Sequence, residues 1–266
     1  MIPYLSYWSK GYKKQPSETV LLMHKIAAYF AKKHYGACYL VTDSEGSSLF
    51  QDCGFTEVQI LKELDSVPSE YSATWSLGKI LCFKHLAENN IHFLHLDYDV
   101  FLFQKLPYFI QDADIFVQSI EHDATHFYGI DYMLNNCKYK TTLENNISNH
   151  SYNMGIFGGK NSSFIKNYCD FSLDIVFHPL NKDFFIDGGI GHWQRAAIAE
   201  QWLLACWEQK KQNVVTTLFD RNRMQTNAVP LEEDCIKYGY THIWGAKNSS
   251  FWDQQIAFLA KILNLT

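Results

Sequence analysis

No two cysteines in this sequence form a Cys-x-x-Cys pair, no run of Lys and Arg marks a basic tail or stripe, and no apolar stretch is long enough to span a bilayer. Each absence bears on a class of protein. The seven Cys, an odd number, are scattered at 38, 53, 82, 137, 169, 206 and 235. Without metal spacing they read as reduced, mostly buried thiols, which fits a cytoplasmic location. Lys and Arg total 23 against 28 Asp and Glu, a formal net charge of −5. Nucleic acid, whose backbone takes several neutralising cations to hold, is therefore disfavoured as a partner. Local basic groups are still enough to grip one pyrophosphate. The N-terminus lacks a basic segment followed by an apolar run, so no signal peptide is expected. A transmembrane helix takes about 20 apolar residues. The Phe- and Leu-rich C-terminal segment is shorter and reads as a docking helix, with peripheral membrane contact left open. Repeats and low-complexity linkers are absent as well, so residues 1–266 read as a single domain.

Hydrophobic residues make up 47% and charged residues 19%, enough to build a sizeable core. Aromatic residues reach 16%; most belong to that core, and some are free to stack on a sugar ring or a base. Ile2 to Trp8 reads as a buried strand. Ser17 N-caps a helix whose Leu21, Leu22, Ile26, Tyr29 and Phe30 recur at helical spacing, ending at Gly36. Strands follow at 38–42 and 57–61, a helix at 73–88 and an apolar strand at 91–96. This alternation predicts an α/β fold with a mostly parallel central sheet flanked by helices. Beyond residue 100 the rhythm loosens. The Asn-rich stretch 122–151 reads as loops around short helices. Tyr152 to Phe157 is a strand closing on Gly158-Gly159, 194–209 a helix, 214–219 and 241–244 short strands, and 251–263 a terminal helix.

Four segments could carry chemistry. Asp97-Tyr98-Asp99 directly follows the apolar strand, at the strand end where open α/β sheets bind ligands. Two carboxylates there suit a hard divalent cation with shared phosphate oxygens; a surface turn is the bland alternative. In Tyr152-Asn153-Met154-Gly155-Ile156-Phe157-Gly158-Gly159 the glycines allow close backbone approach, and Asn153 offers an amide donor and acceptor. A strand ending in a Gly-Gly turn explains the same residues. Glu200-Gln201 is a polar pair in an apolar helix, suited to a sugar or to a solvated face. In Thr241-His242-Ile243-Trp244-Gly245-Ala246-Lys247, His242 could ligate a metal, Gly245 could let the backbone pass a phosphate, and Lys247 could neutralise it.

In this order the segments resemble the GT-A glycosyltransferases (a Rossmann-like fold), nearest to the glycogenin-like and bacterial lipopolysaccharide galactosyltransferase family. The resemblance spans about residues 1–250 as a sequence of motifs. It implies that residues to about 110 form the nucleotide-binding half and the remainder the donor and acceptor half. It also implies that Asp97, Asp99 and His242 hold Mn²⁺ or Mg²⁺, that Lys247 meets the diphosphate, and that Asn153, Gly155 and Gly245 line the donor site. Glu200 and Gln201 would lie near the transferred sugar, Lys79 would face the donor, and Asp43, ending the second strand, would face the base or ribose. The family spaces its Lys six residues after the His and follows it with Pro-Trp; here His242 and Lys247 are five apart and Pro-Trp is absent.

The chemistry so implied is transfer from a nucleotide-sugar donor, a UDP-sugar by resemblance, to a glycan, lipid-linked, small-molecule or protein acceptor. Retention of configuration is implied over inversion. Inversion would need a carboxylate base, for which Asp187 and Glu200 are the candidates. A sugar nucleotidyltransferase shares the Asp pair, but the first strand is followed by Ser9-Lys10-Gly11-Tyr12-Lys13-Lys14, with one Gly where that class carries a Gly-rich loop. A non-catalytic sugar- or nucleotide-binding protein on a degenerate GT-A fold is the remaining reading.

Overall fold

Among the described residues the alternating segments build nine strands: β1 (Ile2–Tyr7), β2 (Tyr39–Thr42), β3 (Glu57–Ile60), β4 (Phe93–Leu96), β5 (Val100–Leu102), β6 (Phe116–Glu121), β7 (Ser151–Gly159), β8 (Thr216–Thr217) and β9 (Tyr240–His242). Seven form one sheet in the order β3-β2-β1-β4-β7-β6-β8, and β5 pairs with β9 in a second, two-stranded sheet. Within the large sheet β1 runs parallel to β2 and β4, β2 to β3, and β6 to β8, whereas β7 is antiparallel to both β4 and β6. The expected mostly parallel sheet is present, with one reversed strand. These coordinates are those of a computed structural model, which describes residues 1–12, 15–121, 128–140, 143, 146–211, 215–219, 232–243 and 250–265.

Both faces of the sheet are covered, because its strands present apolar side chains alternately to either side. On one face α1 (Glu18–Tyr35) packs Met23, Ile26 and Phe30 onto Leu5, Leu40, Leu94 and Ile156. On the other, α2 (Leu77–Glu88) and α3 (Ser162–Phe177) pack Leu77, Ile80, Phe83, Ile165 and Tyr168 against Tyr4, Val41, Phe93 and Phe157. Full burial of one such side chain stabilises by about 1.5–3 kcal/mol. Helix α4 (Leu203–Lys211) adds Leu203, Leu204 and Cys206 to the second face, and α5 (Ser250–Ile262) adds Ile256 and Ala260 to the first. The ends of α1 behave as its sequence dictates. Ser17 accepts from Val20 N–H at 3.3 Å, and Gly36, at φ 86°, donates its N–H to Lys32 O.

Several segments depart from the sequence reading, which named neither β6 nor α3. Gly158 and Gly159 lie within β7, where Gly158 pairs with Leu94. The helix expected from residue 73 begins at Leu77, after the 3₁₀ segment Ser69–Ala73. The helix expected at 194–209 runs from His192 through a π-helical turn at Ile198–Trp202 into α4. The cysteines are free, and all but Cys235 are buried. Among the described residues no helix is long and apolar enough to cross a membrane.

His24 on α1 is fully buried. Its Nδ1 bonds to Val20 O at 2.8 Å, and its ring stacks on Tyr98 with centroids 4.8 Å apart. Burial pulls its pKa down to about 4, against the opposing pull of the Val20 carbonyl and Asp99. The unfolded chain, titrating at about 6.5, then binds the proton more tightly than the folded one. This stability contribution is complete above about 6.5 and is lost as pH falls toward about 4, on the order of 3 kcal/mol in all. Urea denaturation across this window is expected to give a shallower pH slope for His24→Phe than for the wild type. Equal slopes would mean that His24 titrates normally in the fold.

Candidate functional site

The chain leaves the large sheet at the C-terminal end of β4. Leu96 is the last paired residue, and Asp97 then donates its N–H to Gly155 O at 2.9 Å. A tight turn follows, closed by Val100 N–H on Asp97 O at 2.9 Å. The chain now points away from the large sheet, and β5 finds its partner in β9, with Val100 opposite His242. Asp99 O accepts from Ile243 N–H at 2.9 Å. This pairing carries His242 from the far end of the sequence to Asp99, with Nε2 3.5 Å from Asp99 Oδ1. One ligand atom each of Asp97, Asp99 and His242 lies within 4.8 Å of the others.

These three groups suit a divalent cation. His242 Nδ1 lies 2.8 Å from Gln118 Oε1. A carbonyl oxygen can only accept, so Nδ1 carries the hydrogen and a neutral ring turns the Nε2 lone pair toward Asp99. An imidazole lone pair and a carboxylate facing one point repel unless positive charge lies between them. Two carboxylates and an imidazole are compatible with a divalent cation.

Asp97 also touches a buried cation of the protein's own. Lys79 Nζ on α2 lies 2.6 Å from Asp97 Oδ1 and 3.1 Å from Glu200 Oε1, and 5.3 Å from the centre of the Trp75 ring. Burial pulls the Lys79 ammonium down, but Asp97 and Glu200 together more than reverse this and raise it. Burial pushes the Glu200 carboxyl up; Lys79 opposes the shift and Asp97 adds to it. Glu200 lies in the π turn, where the backbone ladder runs from i to i+5, as in Leu203 N–H on Ile198 O. Hydroxyls of neighbouring segments bond to carbonyls in and just before it: Ser76 to Ala196 O, Ser172 to Ala199 O and Tyr168 to Glu200 O.

A cavity of about 630 Å³ opens over this cluster, within the usual range for small-ligand sites. Lys79, Asp97, Asp99, Asn153, Gln201 and His242 line it, so six of the residues singled out from the sequence meet on one cavity. Gln201 Oε1 accepts from Tyr128 O–H at 2.9 Å. Asn153 accepts from Gly155 N–H at 3.0 Å and donates to Glu121 Oε1 at 3.2 Å. Glu200 is beneath the wall, fully buried, and reaches the cavity only through Lys79. Gly155 is behind His242: a Cβ there would sit 2.6 Å from both Gln118 Oε1 and His242 Nδ1.

Other singled-out residues fall elsewhere. Asp43 is buried as the N-cap of the helix Ser44–Leu49, accepting from Gly46 N–H and from both the N–H and the hydroxyl of Ser9, and it is not part of the cavity lining. Asp187 is exposed at the end of the helix Lys182–Asp187, away from the lining. Gly245 and Lys247 lie outside the described residues. The sequence reading missed Gln118 and Glu121 on β6 and the ring-bearing walls Tyr12, Trp75, Tyr98, Tyr128 and Trp193. Burial pushes the Glu121 carboxyl up to about 7, against the hydrogen bond from Asn153. A lone Gln or Glu at the end of a strand carries no sequence signal for such a role.

A model of a family of unknown function (DUF6734) matches residues 9–263. No curated protein matches the chain. Among solved structures, mouse xyloside xylosyltransferase 1 in its apo form is similar over 85% of this chain and 88% of its own length, at 10% identity and a TM-score of 0.41.

Replacing Lys79 by Met leaves Asp97 and buried Glu200 without their shared cation. Breaking a buried pair in this way costs about 3–5 kcal/mol, and chemical denaturation is expected to read that loss. Adding Glu200→Leu to Lys79→Met is expected to recover part of it, since the stranded charge is then gone. A loss below about 1 kcal/mol for Lys79→Met alone would mean that the pair behaves as a solvated surface pair.

Proposed function

The chain belongs to the DUF6734 family, a family of unknown function, and we propose that it is a metal-dependent glycosyltransferase of the GT-A type, moving a sugar from a nucleotide-sugar donor, first of all a UDP-sugar, to a glycan, lipid-linked or protein acceptor. The observation that carries this reading is the convergence of Asp97, Asp99 and His242 at the C-terminal end of β4, on the wall of a cavity of about 630 Å³. That sheet edge is where α/β folds take up nucleotides. The sheet order supports the GT-A reading too, with β4 ending in the Asp pair and a reversed strand beside it.

Asp97, Asp99 and His242 would hold a divalent cation, which would supply positive charge to a departing diphosphate. The chain's own residues do the remainder. Lys79, anchored on Glu200, holds the Asp97 carboxylate in one orientation. Tyr12, Trp75 and Tyr98 offer flat faces to a base. Asn153 and Gln201 offer amide groups to sugar hydroxyls, and Tyr128 and Trp193 shield the opposite wall from water. In a retaining transfer the acceptor oxygen bonds to the anomeric carbon, the bond to the diphosphate breaks, and the acceptor proton passes to the departing phosphate oxygen on the same face. Gly245 and Lys247 belong to this proposal as diphosphate contacts.

Calorimetric titration of UDP in the presence of Mn²⁺, and again with EDTA, tests the cation and the nucleotide together. Outer groups around a metal already contribute about 10–100-fold to its affinity, so Asp99→Ala is expected to weaken UDP binding by at least about 100-fold and EDTA to abolish it. UDP binding indifferent to both would remove the cation from the reading. Turnover of a UDP-sugar is expected to release the nucleoside diphosphate; release of pyrophosphate would mean nucleotidyl transfer instead, and binding without turnover a non-catalytic protein.

A further inference from the structure

Gln118 lies on β6 without solvent exposure, and its surroundings are more elaborate than a core amide needs. The pairing of β6 with β7 is regular at Val117, which faces Phe157, and again at Ser119, which faces Asn153; the register shifts between them. The extra residues belong to β7, where Met154 to Ile156 stand opposite Gln118 alone. Bulges occur often beside functional sites. The Gln118 side chain reaches the small sheet, where two donors meet its Oε1: the Tyr240 hydroxyl at 2.5 Å and His242 Nδ1 at 2.8 Å. Both donors sit on β9, two residues apart, and so on one face of that strand. The Gln118 backbone carbonyl is tied down as well, accepting from Phe219 N–H at 2.9 Å. Opposite, Gly155 leaves the space the amide and the imidazole occupy, since a Cβ there would lie 2.6 Å from each.

We propose that Gln118 is a positioning residue for the candidate cation site: its Oε1 takes the Nδ1 hydrogen of His242, so that the Nε2 lone pair faces the point shared with Asp97 and Asp99. This rests on the cation reading above. A neutral imidazole has two tautomers, and only the one with hydrogen on Nδ1 leaves Nε2 free to ligate. In the other tautomer Nε2–H would donate to Asp99, whose carboxylate lies 3.5 Å away, and the ligand would be lost to an internal hydrogen bond. An amide oxygen on the far side of the ring opposes that outcome. The Tyr240 hydroxyl, donating to the same oxygen, gives the amide a second partner on β9.

The test uses two variants of the full chain. Gln118→Leu removes the acceptor at similar volume, while Gln118→Glu keeps an acceptor in place. Two-bond ¹⁵N–¹H correlation spectra of the metal-free protein, taken where the imidazole is neutral and with His242→Gln to assign the signal, report the tautomer directly. The Nδ1–H form is expected in wild type and Gln118→Glu, and a shift toward Nε2–H in Gln118→Leu. Mn²⁺ binding, read by the electron paramagnetic resonance of free Mn²⁺, is expected to weaken by about 10–100-fold in Gln118→Leu and to be restored in Gln118→Glu. Circular dichroism melting of both variants identifies any loss that comes from unfolding, and Gln118→Glu then decides the matter. A Gln118→Leu protein with wild-type tautomer and Mn²⁺ affinity would overturn the proposal, as would Gln118→Glu binding as weakly as Gln118→Leu in a folded state. Should the wild type bind no Mn²⁺, the cation reading fails, and the tautomer spectra alone still decide the role of Gln118.

Discussion

Lys79 is an ammonium held almost out of water between two carboxylates, and much of the site is arranged around that constraint. Burying one such charge costs several kcal/mol, which only partners at contact distance offset. Asp97 and Glu200 provide them from opposite sides, at 2.6 and 3.1 Å. The helix carrying Lys79, the strand end carrying Asp97 and the π turn carrying Glu200 must therefore stay in one mutual register. Side-chain bonds to backbone carbonyls hold it: Ser76 reaches Ala196 O, and Thr74, just before the same helix, reaches Phe185 O. The π turn has its cause here too. It sets Glu200 inward under Lys79 and leaves Gln201, the next residue, on the cavity wall.

How much of this was legible follows from the range of each signal. The Asp pair was legible because a mostly apolar strand, 91–96, runs straight into it, and that contrast is local. The helix over 18–35 was legible from periodicity and from Ser17 and Gly36 at its ends. The contact between Asp99 and His242 has no local signal, for it depends on β5 leaving the large sheet and pairing with β9 far along the chain. The π turn is equally hidden, since one added residue leaves the apolar pattern on either side intact. Gln118 and Glu121 lie on β6, a strand that the sequence reading did not single out. Asp43 shows the converse. A carboxylate at the end of a parallel strand fits a ligand contact, yet it equally fits an N-cap, and Gly46 N–H and Ser9 take up its oxygens.

The cavity sets its polar groups and its flat faces apart. Carboxylates and imidazole gather where β4 ends, while Tyr12, Trp75 and Tyr98 form one aromatic wall and Tyr128 and Trp193 another. Aromatic walls also lower the local dielectric around the charged floor, which strengthens every electrostatic contact made there.

The reversed strand ties these parts together. Six strands of the large sheet point their C-terminal ends at the ligand edge; β7, antiparallel to its neighbours, brings its first half to that edge instead. Its Ser151 faces Glu121 at the end of β6, and its Ile156 faces Leu96 at the end of β4. Between them lie Asn153 and Gly155. Asn153 binds Glu121 with one end of its amide and the Gly155 N–H with the other, and Gly155 O holds Asp97 N–H while its missing side chain admits His242 and Gln118. With Ile156 facing Leu96, the last residue of β4, residues 151–155 of β7 run past that strand's end. This overhang explains how the Asn-x-Gly segment can contact the acidic wall, the Asp turn and the imidazole at once.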